Sequence, residues 1–337
     1  MRVGVIIKDV GDDYLQFLQQ YGVTDIVGGF NSIHDFKSKF PPDVADQTGC
    51  HWDYPELLQL RERVEACGMR LASMENPHPS WCFDHVMLGL PGREQQLENL
   101  FTTIRNMGRA GIPYYGYNWM VGPGVQRFST RTSTSYPSRG GAQSDLLDMA
   151  EVDKAPLFRD REYSADEMWE NYEYFVQAVV PVLEESGVRM GLHPDDPPTS
   201  SVGGVARIFH NPDGFQRALG LADSPVSAVN LCLGNWTAMG TDIPASIRQF
   251  GERDQILYGH AQGVQGTVPR FNECFLDEAD CDFFDVVRTF DEVGVDTFLA
   301  VAHLPRTIND SGPQFQGYAF AVGFMAGIIK AASSGQR

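Results

Sequence analysis

Four residues able to bind a metal or move a proton stand at the same kind of place along this chain. His193, Cys232, His260 and His303 each end, or closely follow, a short apolar run with strand character. The first is the sharpest. The run over 188–192 leads into His193-Pro194-Asp195-Asp196-Pro197-Pro198, where prolines that cannot donate to a sheet ladder stop the strand at once. Two imidazoles and a thiolate brought together form a donor set for a divalent transition ion. A further histidine, titrating near neutrality, suits proton transfer. Each residue alone has an ordinary reading: a buried cysteine packs as a small apolar group, and a histidine at a strand end commonly just hydrogen-bonds. Their joint recurrence at strand ends favours chemistry.

Such ends meet only if a fold collects them. Strand patterns over 2–7, 24–27, 70–74, 112–117, 188–192, 228–231, 255–259 and 297–301 alternate with helix patterns. The helices are expected over 13–21, 55–66, 93–110, 164–186, 211–219, 244–250, 283–292 and 318–332. Ser164-Ala165-Asp166-Glu167 reads as a capping box, and Pro181 as a kink in the helix it opens. Eight alternations predict a parallel (β/α)8 TIM barrel, whose active site lies at the carboxyl ends of the strands. An open doubly wound sheet is the runner-up, but no GxGxxG follows the first strand. Glu75 and Asn118 join the histidines and Cys232 at strand ends. The connection over 118–163 is too long for a plain turn and is expected to be a lid-like insertion after strand 4. It carries Arg127, Arg131, Arg139, Arg159 and Arg161. Solvated loop residues are the bland reading. For Arg131 and Arg139, the sharper one is a guanidinium clamp on an anionic substrate.

Composition bounds the class. The chain has 337 residues and is expected to be one domain over 1–337. Acidic residues outnumber basic ones 44 to 26, a formal charge of −18, which argues against nucleic acid and anionic membranes as partners. The six cysteines are scattered without a CxxC pair and no secretory start is visible, so a reducing cytoplasm is the expected location.

Several motifs are similar to those of the metal-dependent, xylose-isomerase-like mannonate dehydratases of hexuronate catabolism. They include Met74-Glu75-Asn76-Pro77, Asn106-Met107-Gly108-Arg109-Ala110-Gly111-Ile112-Pro113, Met168-Trp169-Glu170-Asn171, the His193-to-Pro198 run, Phe275-Leu276-Asp277-Glu278 and Gly317-Tyr318-Ala319. The resemblance implies a hydro-lyase acting on a sugar acid, with His193, Cys232 and His260 as ligands of Mn2+ or Fe2+. It also implies His303 and Tyr318 as catalytic residues. Asn118, Arg131, Arg139 and Asp195 are the substrate-facing candidates, and a homodimer is an expected assembly. Two positions depart from the family pattern. Ala302 stands where the family has a ligating aspartate, and His260-Ala261-Gln262 where it has His-x-Arg. An isomerase or epimerase on the same barrel, or a non-catalytic sugar-acid binder, are the alternatives.

Overall fold

The computed structural model describes residues 1–7, 10–32, 36–40, 49–121, 130–310 and 314–334. Eight parallel strands close into a barrel: β1 (Arg2–Ile6), β2 (Asp25–Gly28), β3 (Arg70–Glu75), β4 (Tyr114–Tyr117), β5 (Arg189–Leu192), β6 (Ser227–Cys232), β7 (Ile256–Ala261) and β8 (Phe298–Val301). Each strand pairs with its successor, and β8 closes on β1 with Arg2 opposite Phe298 and Val5 opposite Val301. Every residue of β6 and β7 is buried, as expected of strands covered on both faces. Within such a strand a polar residue such as Asn230 or His260 can point only at other protein groups or at the barrel mouth.

The helices begin and end where their local chemistry dictates. Ala165–Ser186 opens on the Ser164–Glu167 capping box, runs through Pro181 and closes on Gly187 in the left-handed region. Asn211, Asp242 and Asp282 each accept a backbone N–H at the start of a following helix. The last helix, Phe315–Ser334, starts earlier than its sequence pattern suggests. Its stretch Phe315–Ser333 is long and apolar enough to cross a membrane by length and composition, with 33% of that window buried. It packs on β1, on β8 and on the helix Phe283–Val293, which is the position of the eighth helix of the barrel ring.

One layer was absent from the sequence expectation. The insertion after β4 contributes strands Ser133–Pro137 and Gln143–Asp148, and the connection after β7 contributes Gly263–Thr267 and Arg270–Cys274. These form one four-stranded antiparallel sheet in which Phe271 faces Leu147 across the two connections. The strand 133–137 is polar and half exposed, without the apolar alternation that signals a strand. Its partner hairpin turns at Val268 and Pro269, with Gly266 in the adjoining ladder at a φ of 86°. The lid-like insertion is therefore stitched to the opposite side of the barrel mouth. Arg127 lies outside the described residues.

Gly116 shows how tightly the barrel is filled below the mouth. A Cβ there would run into the Tyr258 hydroxyl and would come within 2.8 Å of Glu75 Cγ. Gly116→Ala should therefore lower stability by about 1–3 kcal/mol through overpacking, read as a fall in the urea midpoint with an unchanged slope.

Candidate functional site

Three consecutive strands deliver the candidate ligands. Cys232 ends β6 directly opposite His260 on β7, and His193 follows β5, its N–H donating to the Tyr117 carbonyl at 2.9 Å. All three side chains are buried, and their ligating atoms lie within 4.8 Å of one another. His193 Nδ1 is 2.7 Å from the Pro194 carbonyl. A carbonyl only accepts, so Nδ1 carries the proton and Nε2 keeps a lone pair. Burial alone would push the Cys232 thiol up, yet bonds and charge from His193 and His260 bring it down to about 6. A thiolate and two imidazoles buried together fit a divalent first-row transition ion.

A carboxylate braces this trio. Glu75, at the end of β3, has one oxygen that accepts from the Tyr258 hydroxyl at 2.6 Å, from Asn230 Nδ2 at 2.7 Å and from His260 Nε2 at 2.9 Å. Burial works against its charge, but His260 above all holds it down to about 2. Reciprocally, burial would lower His260, and Glu75 with Cys232 lifts it to about 10. Because a carboxylate only accepts, Nε2 of His260 carries a proton, and Nδ1 would be its ligating nitrogen in the neutral, metal-holding form.

A second buried carboxylate organises the neighbouring sector. Glu273 Oε1, on Arg270–Cys274, accepts from Arg131 Nη2 at 2.7 Å and Nε at 3.0 Å, from His303 Nδ1 at 2.9 Å and from Gln262 Nε2 at 3.1 Å. Gln262 in turn takes the Cys232 thiol on its Oε1 at 3.1 Å. A continuous chain of polar contacts thus joins His303 to Cys232. Burial opposes the charge of Glu273, while His303 and Arg131 draw it down to about 2. Burial also opposes the charge of His303, which Glu273 raises and Arg131 counteracts. His303 itself sits at a φ of 54°, a backbone region that side chains adopt at some cost.

The family model described as D-mannonate dehydratase (UxuA) matches residues 13–160 and 148–337. The chain belongs to the D-mannonate dehydratase family. A mannonate dehydratase of Thermotoga maritima is 28% identical over 285 residues, 75% of this chain and 78% of that protein. Mannonate dehydratase 2 of Halalkalibacterium halodurans is 29% identical over 322 residues, 87% of this chain and 90% of its own length. The crystal structure of mannonate dehydratase from Streptococcus suis serotype 2 superposes with a TM-score of 0.84 at 25% identity, covering 100% of this chain and 96% of that one. An L-ribulose 3-epimerase, 12% identical with a TM-score of 0.61 over 99% of this chain and 96% of its own, shares the fold.

The remaining candidates of this mannonate dehydratase relative fall into distinct places. Asn118 is buried just past β4 and exchanges bonds with Asn76, at 3.1 Å from its N–H and 3.3 Å to its Oδ1. Arg131 does not present an open fork. Its guanidinium grips Asp196 at 2.6 and 3.0 Å as well as Glu273, so both faces are taken by the chain's own carboxylates. Arg139 lies on the surface, 44% exposed, paired with Asp277 at 2.6 Å. Asp195 turns back into its own loop, where one oxygen accepts the Phe209 N–H at 2.6 Å and burial, against the pull of Arg207, raises it to about 6. Tyr318 is buried at the rim beside β1, its hydroxyl donating to the Ile6 carbonyl at 3.2 Å, and burial holds its phenol well above the usual range. Glu273, Asn230 and Tyr258 were missed by the sequence reading, which named Gln262 only as a departure from the family pattern. For Asn230 and Tyr258 the available signal was a polar group inside an otherwise apolar, wholly buried strand, and for Glu273 a carboxylate beside Phe271, Cys274 and Phe275, since such a group must find a partner.

Arg131 and Arg139 should differ sharply on truncation. Arg131→Met strands two buried carboxylates and should cost about 3–5 kcal/mol, whereas Arg139→Met at the exposed pair should cost about 0–1 kcal/mol. Urea unfolding of the two variants checks this contrast.

Proposed function

We propose that the protein removes water from a sugar acid of the D-mannonate type, giving a 2-keto-3-deoxy acid, with Mn2+ or Fe2+ held by His193, Cys232 and His260. The observation that carries this reading is the buried His–Cys–His trio, joined through Gln262 and Glu273 to a histidine at the next strand end. Membership of the mannonate dehydratase family supports it. We read residues 1–337 as one catalytic domain acting in the cytoplasm, a location supported by six cysteines none of which is in a disulfide.

The α-proton of a carboxylate is very weakly acidic, so the reaction needs a base, an acid and compensation for developing negative charge. A bound divalent ion would supply that charge compensation. His303 donates its Nδ1 proton to Glu273, which leaves Nε2 to accept the α-proton. As the C–H bond breaks, a double bond forms between the α and β carbons and the β-hydroxyl leaves. A proton from Tyr318 turns the leaving group into water, and the resulting enol tautomerises to the ketone. Burial raises the phenol pKa and so keeps Tyr318 protonated until the leaving group demands the proton. Asn118, beside His193 on the adjoining strand, is positioned to bond a substrate hydroxyl. Ala302 supplies no carboxylate, so in this reading His193, Cys232 and His260 alone would hold the ion.

Two measurements test the reading. Protein incubated with Mn2+ and freed of excess metal should retain about one ion per chain by elemental analysis, and His193→Ala should retain almost none. Glu75→Gln, which unsettles His260, should weaken binding by about 10-fold or more. Mannonate should then yield a 2-keto-3-deoxy acid, and His303→Asn should abolish turnover with the metal still bound. Carbonyl migration without loss of water would replace this reading with an isomerase; tight binding of the sugar acid without any product would make the protein a binder.

A further inference from the structure

We propose that Glu273 is the positioning residue of His303, and that the insertion after β4, through Arg131, assembles this pair. The inference rests on the reading of His303 as the base and goes beyond it, by naming what sets its tautomer and charge.

Three observations carry it. The first is geometric. Glu273 Oε1 is shared by Arg131, Gln262 and His303 Nδ1 at 2.7–3.1 Å, and a carboxylate oxygen can only accept, so the proton on His303 sits at Nδ1. Nε2 is then left to take a proton, the same division of labour by which a buried carboxylate orients an imidazole in hydrolases. Secondly, His303 needs an external hold. Its φ of 54° gives the backbone no intrinsic preference for this orientation, and its side chain is 35% exposed while that of Glu273 is 5% exposed. The buried partner is the fixed one. Thirdly, Glu273 belongs to the strand Arg270–Cys274, whose neighbour Gln143–Asp148 is part of the insertion. Arg131 comes from that insertion and joins Glu273 to Asp196, which follows His193 by three positions. The contacts that hold the insertion on the mouth and those that orient the base therefore share one carboxylate.

The groups that face His303 are Glu273, Arg131 and Asp196. Glu273 and Asp196 favour its charged form and Arg131 disfavours it, so the two partners named in the proposal act with opposite sign. This provides a test that loosening of the fold would not mimic. His303 is followed by NMR of 15N-histidine-labelled protein, with His303→Asn used to assign its signal. Glu273→Gln, close in shape and uncharged, should lower the His303 titration midpoint and disturb the Nδ1-protonated tautomer. Arg131→Gln should raise the midpoint. In turnover of the metal-loaded enzyme, Glu273→Gln should lower kcat by about 100-fold with KM within about twofold and metal content unchanged.

An unmoved midpoint and tautomer in Glu273→Gln would overturn the proposal. So would a downward shift in both variants, which is the mark of general loosening. If Glu273→Gln does not fold, Glu273→Asp, which withdraws the charge by one methylene, should lower the midpoint in the same direction, and an unmoved value again overturns the proposal. Should the unaltered protein dehydrate no sugar acid, the functional reading fails, while the NMR arm still decides the role of Glu273.

Discussion

Charge buried at the mouth of the barrel is tolerable only where an opposite charge meets it, and much of this site follows from that constraint. An isolated carboxylate moved out of water costs several kcal/mol even after relaxation. Here Glu75 is matched by His260, and Glu273 by Arg131 and His303. Asp196 is matched by Arg131. These pairings decide which groups remain charged, where imidazole protons sit and which side chains are left over for substrate. Arg131 is the clearest case. Its guanidinium has the shape and charge to hold an anionic ligand, but two buried carboxylates already occupy it.

The same constraint separates what the sequence revealed from what it concealed. The barrel was legible because it rests on local signals: apolar runs, capping residues and glycine stops that recur with the period of a β/α unit. His193, Cys232 and His260 were legible because strand ends in a barrel share a face. The directions taken by Arg131 and Asp195 were not, because each depends on partners far along the chain or across a turn. Arg131 meets Glu273 across 142 positions. A motif fixes which residues reach the mouth; long-range pairing fixes what they hold once there. Glu273 was the costliest omission, though a carboxylate between Phe271, Cys274 and Phe275 is itself a sign of buried pairing.

The two departures from the family pattern also look different in the folded molecule. Gln262, where the resemblance led one to expect an arginine, stands between Glu273 and Cys232, giving a hydrogen bond to one and taking one from the other. It preserves connectivity while removing a positive charge. Ala302 preserves neither charge nor contact: its buried methyl group has no polar function, and its N–H goes to the Ala261 carbonyl at 3.3 Å.

The sheet shared between residues 133–148 and 263–274 has a consequence for how such proteins can diverge. Insertions in barrels are usually free to lengthen, shorten or be exchanged, because each is anchored only at its own two ends. Here two connections from different sectors are locked in one register, Arg270 to Asp148 and Asn272 to Leu146. A length change in one shifts every cross-strand partner in the other and flips side chains between faces. Substrate preference in this lineage is therefore expected to evolve by paired changes in both segments, and a loop transplanted from a relative needs its distant counterpart to travel with it.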